Sequence, residues 1–340
     1  MRTVLSKEYC FLDDRPFASC HAATVLPLDD GRAMAAWFGG SYESHGDVAI
    51  WAAVREPDTA WGAVTKLADE AGNPHWNPVL SRPPDGSVHL FYKVGKNPRV
   101  WTTRVIRSTD EGTTWSEPRD LPTIDGYTPG PVKDKAVVTA DGTWIAPTSK
   151  ETEEAWDCAV TISTDGGRTW EISETVPRDD ATLTGKGAIQ PTVWESSPGH
   201  LGMLVRTTAG TIFRSDSTDG GRTWSTLAPT DLPNNNSGID CARRDDGLLA
   251  LVYNHVPENW GRRSPLNVIF STDDGSTWFE PLVLEHYEPT GEEEKQIKLD
   301  RAHRVNEFSY PAVVADGKRF LIVYTWKRER IAYRELAVEL

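Results

Sequence analysis

Four cysteines and three methionines in 340 residues leave little sulfur for structural chemistry. Cys10, Cys20, Cys158 and Cys241 are scattered with no Cys-x-x-Cys pair, which excludes a zinc ribbon and a disulfide scaffold and leaves reduced thiols as the expectation. The eight histidines include no His-Glu-x-x-His or His-x-His spacing, and no glycine-rich loop leads from a strand into a helix, so no metal and no other cofactor is expected. No window approaches the ~18 consecutive apolar residues of a membrane-spanning helix. The opening MRTVLSKEYCFLDDRPF lacks a basic stretch followed by an apolar one, so the expectation is a cytoplasmic protein with no membrane partner. Positive charge is also in deficit. Against 50 Asp+Glu stand 36 Lys+Arg, a net charge of −14 that repels polyanions and makes nucleic acid an unexpected partner.

What the chain does have is 14 Trp, 23 Pro and 27 Gly, with hydrophobic residues at only 38%. Apolar content concentrated in a few large side chains among many turns reads as all-β. One eight-residue pattern occurs four times: Ser108-Thr-Asp110-Glu-Gly112-Thr-Thr-Trp115, Ser163-Thr-Asp165-Gly-Gly167-Arg-Thr-Trp170, Ser217-Thr-Asp219-Gly-Gly221-Arg-Thr-Trp224 and Ser271-Thr-Asp273-Asp-Gly275-Ser-Thr-Trp278. The tryptophans are 55, 54 and 54 residues apart, and a degenerate copy from Arg55 through Asp58 to Trp61 lies one period earlier. Each copy reads as a hairpin turn: Asp accepts backbone N–H bonds, Gly supplies positive φ, and Trp anchors the turn between sheets.

Ahead of each turn lie an apolar strand (33–40, 87–95, 143–149, 200–208, 248–255, 319–326) and, before it, a shorter one starting near His21, Asn77, Lys133, Gln190, Ser237 and Ser309. These segments alternate with period 2, whereas a helical solenoid needs apolar residues at i, i+3, i+4 and i+7. Four strands per unit and six units predict a six-bladed β-propeller over residues 1–340, its N-terminal strand closing the last blade. The stretch 285–305 departs from the period and is expected as an inserted loop, either a solvated excursion or a lid.

The repeated turns, with the strands around them, resemble the Asp boxes of the sialidase (neuraminidase) superfamily, in particular its bacterial BNR-repeat group. The resemblance implies a propeller whose substrate carboxylate is held by three arginines, with a Tyr nucleophile, its Glu partner and an Asp acid/base. At the first arginine, which opens an Arg-Ile-Pro strand, the chain has Cys20-His21-Ala22-Ala23, so His21 stands in its place. Gly46-Asp47-Val48-Ala49-Ile50 is similar to the acid/base motif and retains Asp47. Gln190 and Arg206 keep the spacing of the Glu partner and the second arginine, with an amide for the acid. Arg263-Ser264-Pro265-Leu266 matches the third arginine. At the nucleophile the register reads Phe308-Ser309-Tyr310-Pro311, which puts the Tyr two residues away. These changes lead to the expectation that ordinary sialosides are cleaved poorly.

Strand starts and inner loops of a propeller meet at one end of its central channel. The residues expected there are His21, Glu43, Asp47, Asn77, Lys133, Lys135, Glu151, Gln190, Arg206, Asp240, Asn254, Arg263, Glu307 and Tyr310. Two arginines outside the Asp boxes suggest an acidic substrate group. His21 suits proton transfer or hydrogen bonding to a sugar hydroxyl. Lys133 and Lys135, on one face of a strand by period 2, suit a second anion contact or an ion pair with Glu151. The amides of 234–236 form a turn or meet sugar hydroxyls, and Trp76, Trp260 and Trp326 pack in the core or stack on a ring. The leading reading is an exo-acting glycoside hydrolase that releases an acidic sugar, a uronate or 2-keto acid, from a small glycoside or oligosaccharide. Arg206 and Arg263 hold the carboxylate, Asp47 or Glu43 is the acid, and Glu307 or Glu151 activates water. A uronate lyase using His21, Tyr310 or a lysine as base, and a non-catalytic glycan-binding propeller, remain as alternatives.

Overall fold

The fold, taken from a computed structural model, is described for residues 2–57, 59–288, 290 and 307–339. Over these residues it contains 24 strands and no helix, arranged as six four-stranded antiparallel sheets. From the axis outward the first blade is Ser19–Pro27, Ala33–Gly40, Ala49–Arg55 and Thr65–Ala68, and the second is His75–Ser81, Val88–Val94, Thr102–Ser108 and Arg119–Leu121. The third is Val137–Val138, Trp144–Glu151, Trp156–Ser163 and Glu171–Ile172; the fourth is Ala188–Ser197, His200–Thr207, Thr211–Ser217 and Ala228–Pro233. The fifth is Asp240–Arg243, Leu249–Asn254, Leu266–Ser271 and Leu282–Glu285. The sixth combines Phe308–Asp316, Arg319–Trp326 and Arg330–Val338 with the N-terminal strand Arg2–Tyr9, which pairs with Arg330–Val338 in the register Arg2↔Val338 to Tyr9↔Ala332. Of the stretch 285–305, residues 289 and 291–305 lie outside the described residues, as does Asp58 of the degenerate turn.

Strand alternation fills the junctions between blades. Along Ala33–Gly40 the odd positions Ala33, Ala35 and Trp37 pack against the sixth blade, and the even positions Met34, Ala36 and Phe38 against the second. A strand covered on both faces reads as continuously apolar. Each large apolar side chain fully buried this way contributes about 1.5–3 kcal/mol. The turn tryptophans sit in the same junctions. Trp61 packs between blades six and one, Trp115 between one and two, Trp170 between two and three, Trp224 between three and four, and Trp278 between four and five.

The turns themselves are closed by their own side chains. In the third blade Asp165 accepts the Thr169 hydroxyl (2.6 Å) and amide (2.9 Å), while Ser163 Oγ donates to Asp165 (2.8 Å) and accepts from Gly167 N (2.9 Å). The other three copies repeat the Thr-to-Asp bond at 2.6 Å. Gly221, at φ 83°, shows why the second turn glycine is needed: a Cβ there would stand 3.1 Å from Leu201 and 3.4 Å from Val160 of the preceding blade.

The third blade departs from the sequence-based expectation. Its innermost strand is only Val137–Val138, so Lys133 and Lys135 lie ahead of it and do not share a strand face. The segment is drawn across the channel instead. Lys133 Nζ donates to Ile239 O (2.7 Å) and Pro311 O (2.6 Å), backbone carbonyls at the inner ends of the fifth and sixth blades.

Candidate functional site

In four blades the innermost strand begins with a bulge. Ala22, Asn77, Gln190 and Tyr310 stand at φ 52°, 40°, 53° and 51°, and the ladder registers shift just after His21, Trp76, Ile189 and Ser309. Three of these residues precede proline, which normally forces its predecessor into extended conformations. A non-glycine residue held in the left-handed region costs on the order of 1–3 kcal/mol, and such strain gathers where a side chain must be aimed. Here Asn77, Gln190 and Tyr310 are aimed into one cavity of ≈ 390 Å³ at the channel mouth.

The other contributors come from the connections between the second and third strands of five blades, or from the strand ends that border them. Glu43 and Ser44 come from the first blade, Trp101 from the second, Glu151 and Trp156 from the third, Trp260 and Arg263 from the fifth, and Arg328 from the sixth. Arg206, at the end of the fourth blade's second strand, is buried. Its Nε donates to Asn236 Oδ1 (2.8 Å) and its Nη1 to Gln190 Oε1 (2.9 Å) and the Tyr310 hydroxyl (2.6 Å). The guanidinium carbon lies 5.7–6.0 Å from the ring centroids of Tyr310, Trp260 and Trp156. Arg263 stands over the same Tyr310 ring at 5.3 Å and reaches Glu307 and Ser309 at 3.4 Å each. Arg328 donates through Nε to Glu307 and through Nη1 to Glu43 (3.0 Å). Burial alone would lower the pKa of Arg328, but Glu307 and Glu43 outweigh it and raise it; for Arg263 burial wins and the pKa falls.

His21 lies inside the same wall, buried, with Nδ1 2.8 Å from Thr325 Oγ1 and 3.7 Å from Glu307 and its ring centroid 4.2 Å from that of Tyr310. Glu151 differs from the other carboxylates. Among the described residues its carboxyl has no hydrogen-bond partner, and burial raises its pKa, with Arg206, Lys186 and Arg99 pulling more weakly the other way. Burial beside an anion clamp therefore shifts this carboxyl toward its protonated form, the direction a proton donor needs.

The structure therefore brings His21, Glu43, Asn77, Glu151, Gln190, Arg206, Arg263, Glu307 and Tyr310 together and leaves five expected residues elsewhere. Asp47 shares a loop with Glu43 but faces a separate ≈ 810 Å³ cleft. Burial would raise its pKa, but the Ser41 hydroxyl and amide and His45 hold it down to about 2, which suits an anion and not an acid. Lys133 is spent on Asp134 and two carbonyls, and Lys135 on Asp240 and the Cys241 carbonyl. Asp240 ties blades together through Thr192 (2.8 Å) and Val313 N (2.8 Å). Asn254 donates to the carbonyls of Pro265 and Phe308, 2.9 Å each. None of these five lines the mouth cavity: Lys133, Lys135, Asp240 and Asn254 answer backbone or charge left over where blades meet, and Asp47 is held within its own loop. Trp326 likewise packs on Tyr9 and Phe308.

Arg328, Trp101 and Trp156 escaped the sequence reading. Their signal is positional: Arg328 and Trp101 lie in the loop between the second and third strands of their blades, the same place that supplies Glu43 and Arg263, and Trp156 opens the third strand just after it. Three of the four bulge residues carried a signal too, since Asn77, Gln190 and Tyr310 all stand directly before proline at a strand start. Among the described residues no group of three His, Cys, Asp or Glu is arranged to hold a metal.

Residues 31–322 match the family described as the BNR repeat-like domain. Similar solved structures include a protein of unknown function from Dyadobacter fermentans, 16% identical with a TM-score of 0.76 over 99% of each chain. They also include the intramolecular trans-sialidase of Ruminococcus gnavus in complex with oseltamivir carboxylate, 15% identical, TM-score 0.70, covering 97% of both chains. A third is the Trypanosoma rangeli sialidase in complex with sialic acid, 13% identical, TM-score 0.68, covering 99% of this chain and 58% of that one. At such identities the likeness is one of fold. No curated protein matches the sequence.

Proposed function

Because the chain belongs to the BNR repeat-like family and folds as a sialidase-like propeller, we propose that it binds an acidic sugar at the channel mouth and hydrolyses its glycosidic bond. The observation that carries this reading is the presence of Arg206, Arg263 and Arg328, from three consecutive blades, in a single cavity with Glu151. Like charges gathered in a partly buried site repel unless carboxylates separate them. With Glu151 protonated, as the proposed acid must be, Glu307 and Glu43 supply two negative charges against three positive ones, and a ligand carboxylate supplies the third. The indole rings of Trp156 and Trp260 add apolar surface for the sugar body.

In the reaction, the guanidiniums fix the carboxylate and with it the position of the anomeric carbon. Glu151 passes its proton to the leaving glycosidic oxygen, which keeps the electron pair of the breaking C–O bond. A water oxygen forms the new bond to the anomeric carbon, and the proton it sheds goes to a second carboxylate of the mouth. Gln190, an amide where the family resemblance leads one to expect an acid, hydrogen-bonds Arg206 and does not serve as that base.

The test is turnover of nitrophenyl glycosides of glucuronate, galacturonate and N-acetylneuraminate, with the Glu151→Gln variant alongside. Release of nitrophenol from at least one acidic glycoside and none from the matching neutral glycoside is the expected result. Loss on Glu151→Gln should be larger for alkyl than for nitrophenyl leaving groups, since only the former need the proton. An unsaturated uronate product, seen by its ultraviolet absorbance, would replace hydrolysis by elimination. Binding without turnover would leave a glycan-binding propeller, and absence of both would overturn the proposal.

A further inference from the structure

The polar side chains of the mouth differ in how completely they are paired. Nε and Nη1 of Arg206 are engaged by Asn236, Gln190 and Tyr310, and the carboxylates of Glu307 and Glu43 both reach Arg328. Asn77 is different. It is 5% exposed, lines the cavity from the innermost strand of the second blade, and is held at φ 40° directly before Pro78. Its Nδ2 donates to the carbonyl of Val132 (3.1 Å), in the segment ahead of the third blade's innermost strand. That bond fixes the amide, because turned over it would set oxygen against oxygen. Oδ1 is thereby left with no hydrogen-bond partner among the described residues. Asn235 provides the contrast: its Nδ2 is likewise given to a carbonyl, that of Arg262 (2.7 Å), but its unpaired Oδ1 is sealed in the wall, whereas that of Asn77 is not. At Gln190 the polarity is reversed, since Arg206 holds the oxygen and the nitrogen is left over.

We infer that Asn77 Oδ1 is the atom by which the mouth reads a hydrogen-bond donor on the sugar, a hydroxyl or an acylamino N–H, and that acidic sugars lacking a donor at that point are rejected. Resting on the acidic-sugar reading above, this narrows the substrate class to acidic sugars with a free donor on the second-blade side of the clamp. The guanidiniums cannot make this distinction: they are donors only, and they hold a carboxylate whatever the rest of the ring carries. An amide whose nitrogen is pinned cannot turn to suit an acceptor. A ligand without the donor displaces water from the oxygen and leaves it unpaired, which is how a polar site rejects an analogue that lacks one group.

Asn77→Gly is the test variant, since glycine accepts φ 40° without strain, and thermal denaturation checks that it folds. Asn77→Ala, which also lacks the amide, repeats the comparison. Titration calorimetry compares glucuronate with its ring-monodeoxy analogues, and N-acetylneuraminate with the analogue that carries hydrogen in place of the acetamido group. In the parent, one such analogue should bind about tenfold more weakly than its full sugar, the size of a hydrogen bond to a buried acceptor. In the variants the same two ligands should bind within about twofold of each other, as independent groups do. A drop in the glucuronate series identifies a hydroxyl as the donor, a drop in the acetamido pair identifies the N–H, and either carries the inference. If the drop persists in the variants, or if the full sugars bind and no analogue is penalised, Asn77 is a strut to Val132 alone; the inference then falls and the acidic-sugar reading stands. If the parent binds no acidic sugar, both fall.

Discussion

Arg206 spends Nε and Nη1 on Asn236, Gln190 and Tyr310, so it holds the wall as well as lining the proposed ligand site. Arg206→Ala strands three polar groups in a buried wall and should cost about 1–3 kcal/mol of stability. Arg263→Ala should be milder, because Glu307 keeps Arg328. Both changes should weaken acidic-sugar binding by roughly 1.5–3 kcal/mol, the range of a charge-assisted hydrogen bond. Calorimetric titration checks the affinity, and parental affinity in Arg263→Ala would remove that residue from the site. Arg328 also alters the expectation for sialosides. His21 replaces one clamp arginine, but a third guanidinium arrives from the sixth blade, so poor cleavage is predicted from Gln190 and the displaced Tyr310 alone.

Glu151 gives a pH signature at the same scale. Its folded pKa is raised, so the folded chain favours the protonated form, and stability declines as pH rises from the ordinary carboxylate range through the raised value. Glu151→Gln has no charge to desolvate. Its melting temperature should therefore exceed the parent's at pH 7 and meet it at pH ~4, in thermal scans across that window. Equal melting temperatures throughout would mean that Glu151 is well solvated and not a poised acid.

At the scale of the element, the Asp box is a turn held by a carboxylate that must stay ionised. Burial would raise Asp219, but the Thr223 hydroxyl and amide and Ser217 hold it down from 3.8 to about 2. The depressed folded pKa means that this contribution is fully present above the ordinary value and is lost as pH falls through about 2. Asp219→Asn should thus melt a few degrees lower at neutral pH and lose less than the parent on acidification across that interval. The same loss in both would show that the box is held by its backbone alone. The bulges follow a different logic, since their strain orients Asn77, Gln190 and Tyr310 without strengthening the sheet.

The whole molecule depends on the strand Arg2–Tyr9. It covers the edge of Arg330–Val338, which would otherwise present unpaired backbone groups to solvent or to another chain. Deleting residues 1–9 should lower stability by roughly 3 kcal/mol or more, a large share of the ~5–15 kcal/mol typical of a folded domain, and promote association. Acidic-sugar binding should fall with it, because the first and sixth blades meet at His21, Glu43 and Arg328. Denaturant titration and light scattering check both effects, and a deletion that stays monomeric and equally stable would show that the ring closes without that strand.

Six blades, their strand alternation and the junction tryptophans were legible in the sequence because each depends on a local period: two along a strand, about 54 between turns. Arg206, Arg263, Gln190, Glu307 and Tyr310 could be placed near the axis for the same reason, since strand starts and the strands they lead into recur at fixed offsets. What the period could not give was direction and company. Asp47 and Glu43 lie four residues apart on one loop yet face different cavities. Lys133 left its strand because two carbonyls from blades more than 100 residues away needed a donor. Arg328 entered the clamp only because closing the ring sets the sixth blade beside the first, as it sets Thr325 against His21 across 304 residues of sequence. Local repetition determines the blades; which side chains share a charge, and which turn away, is decided where blades distant in sequence compete for the same few donors and acceptors in a largely buried space.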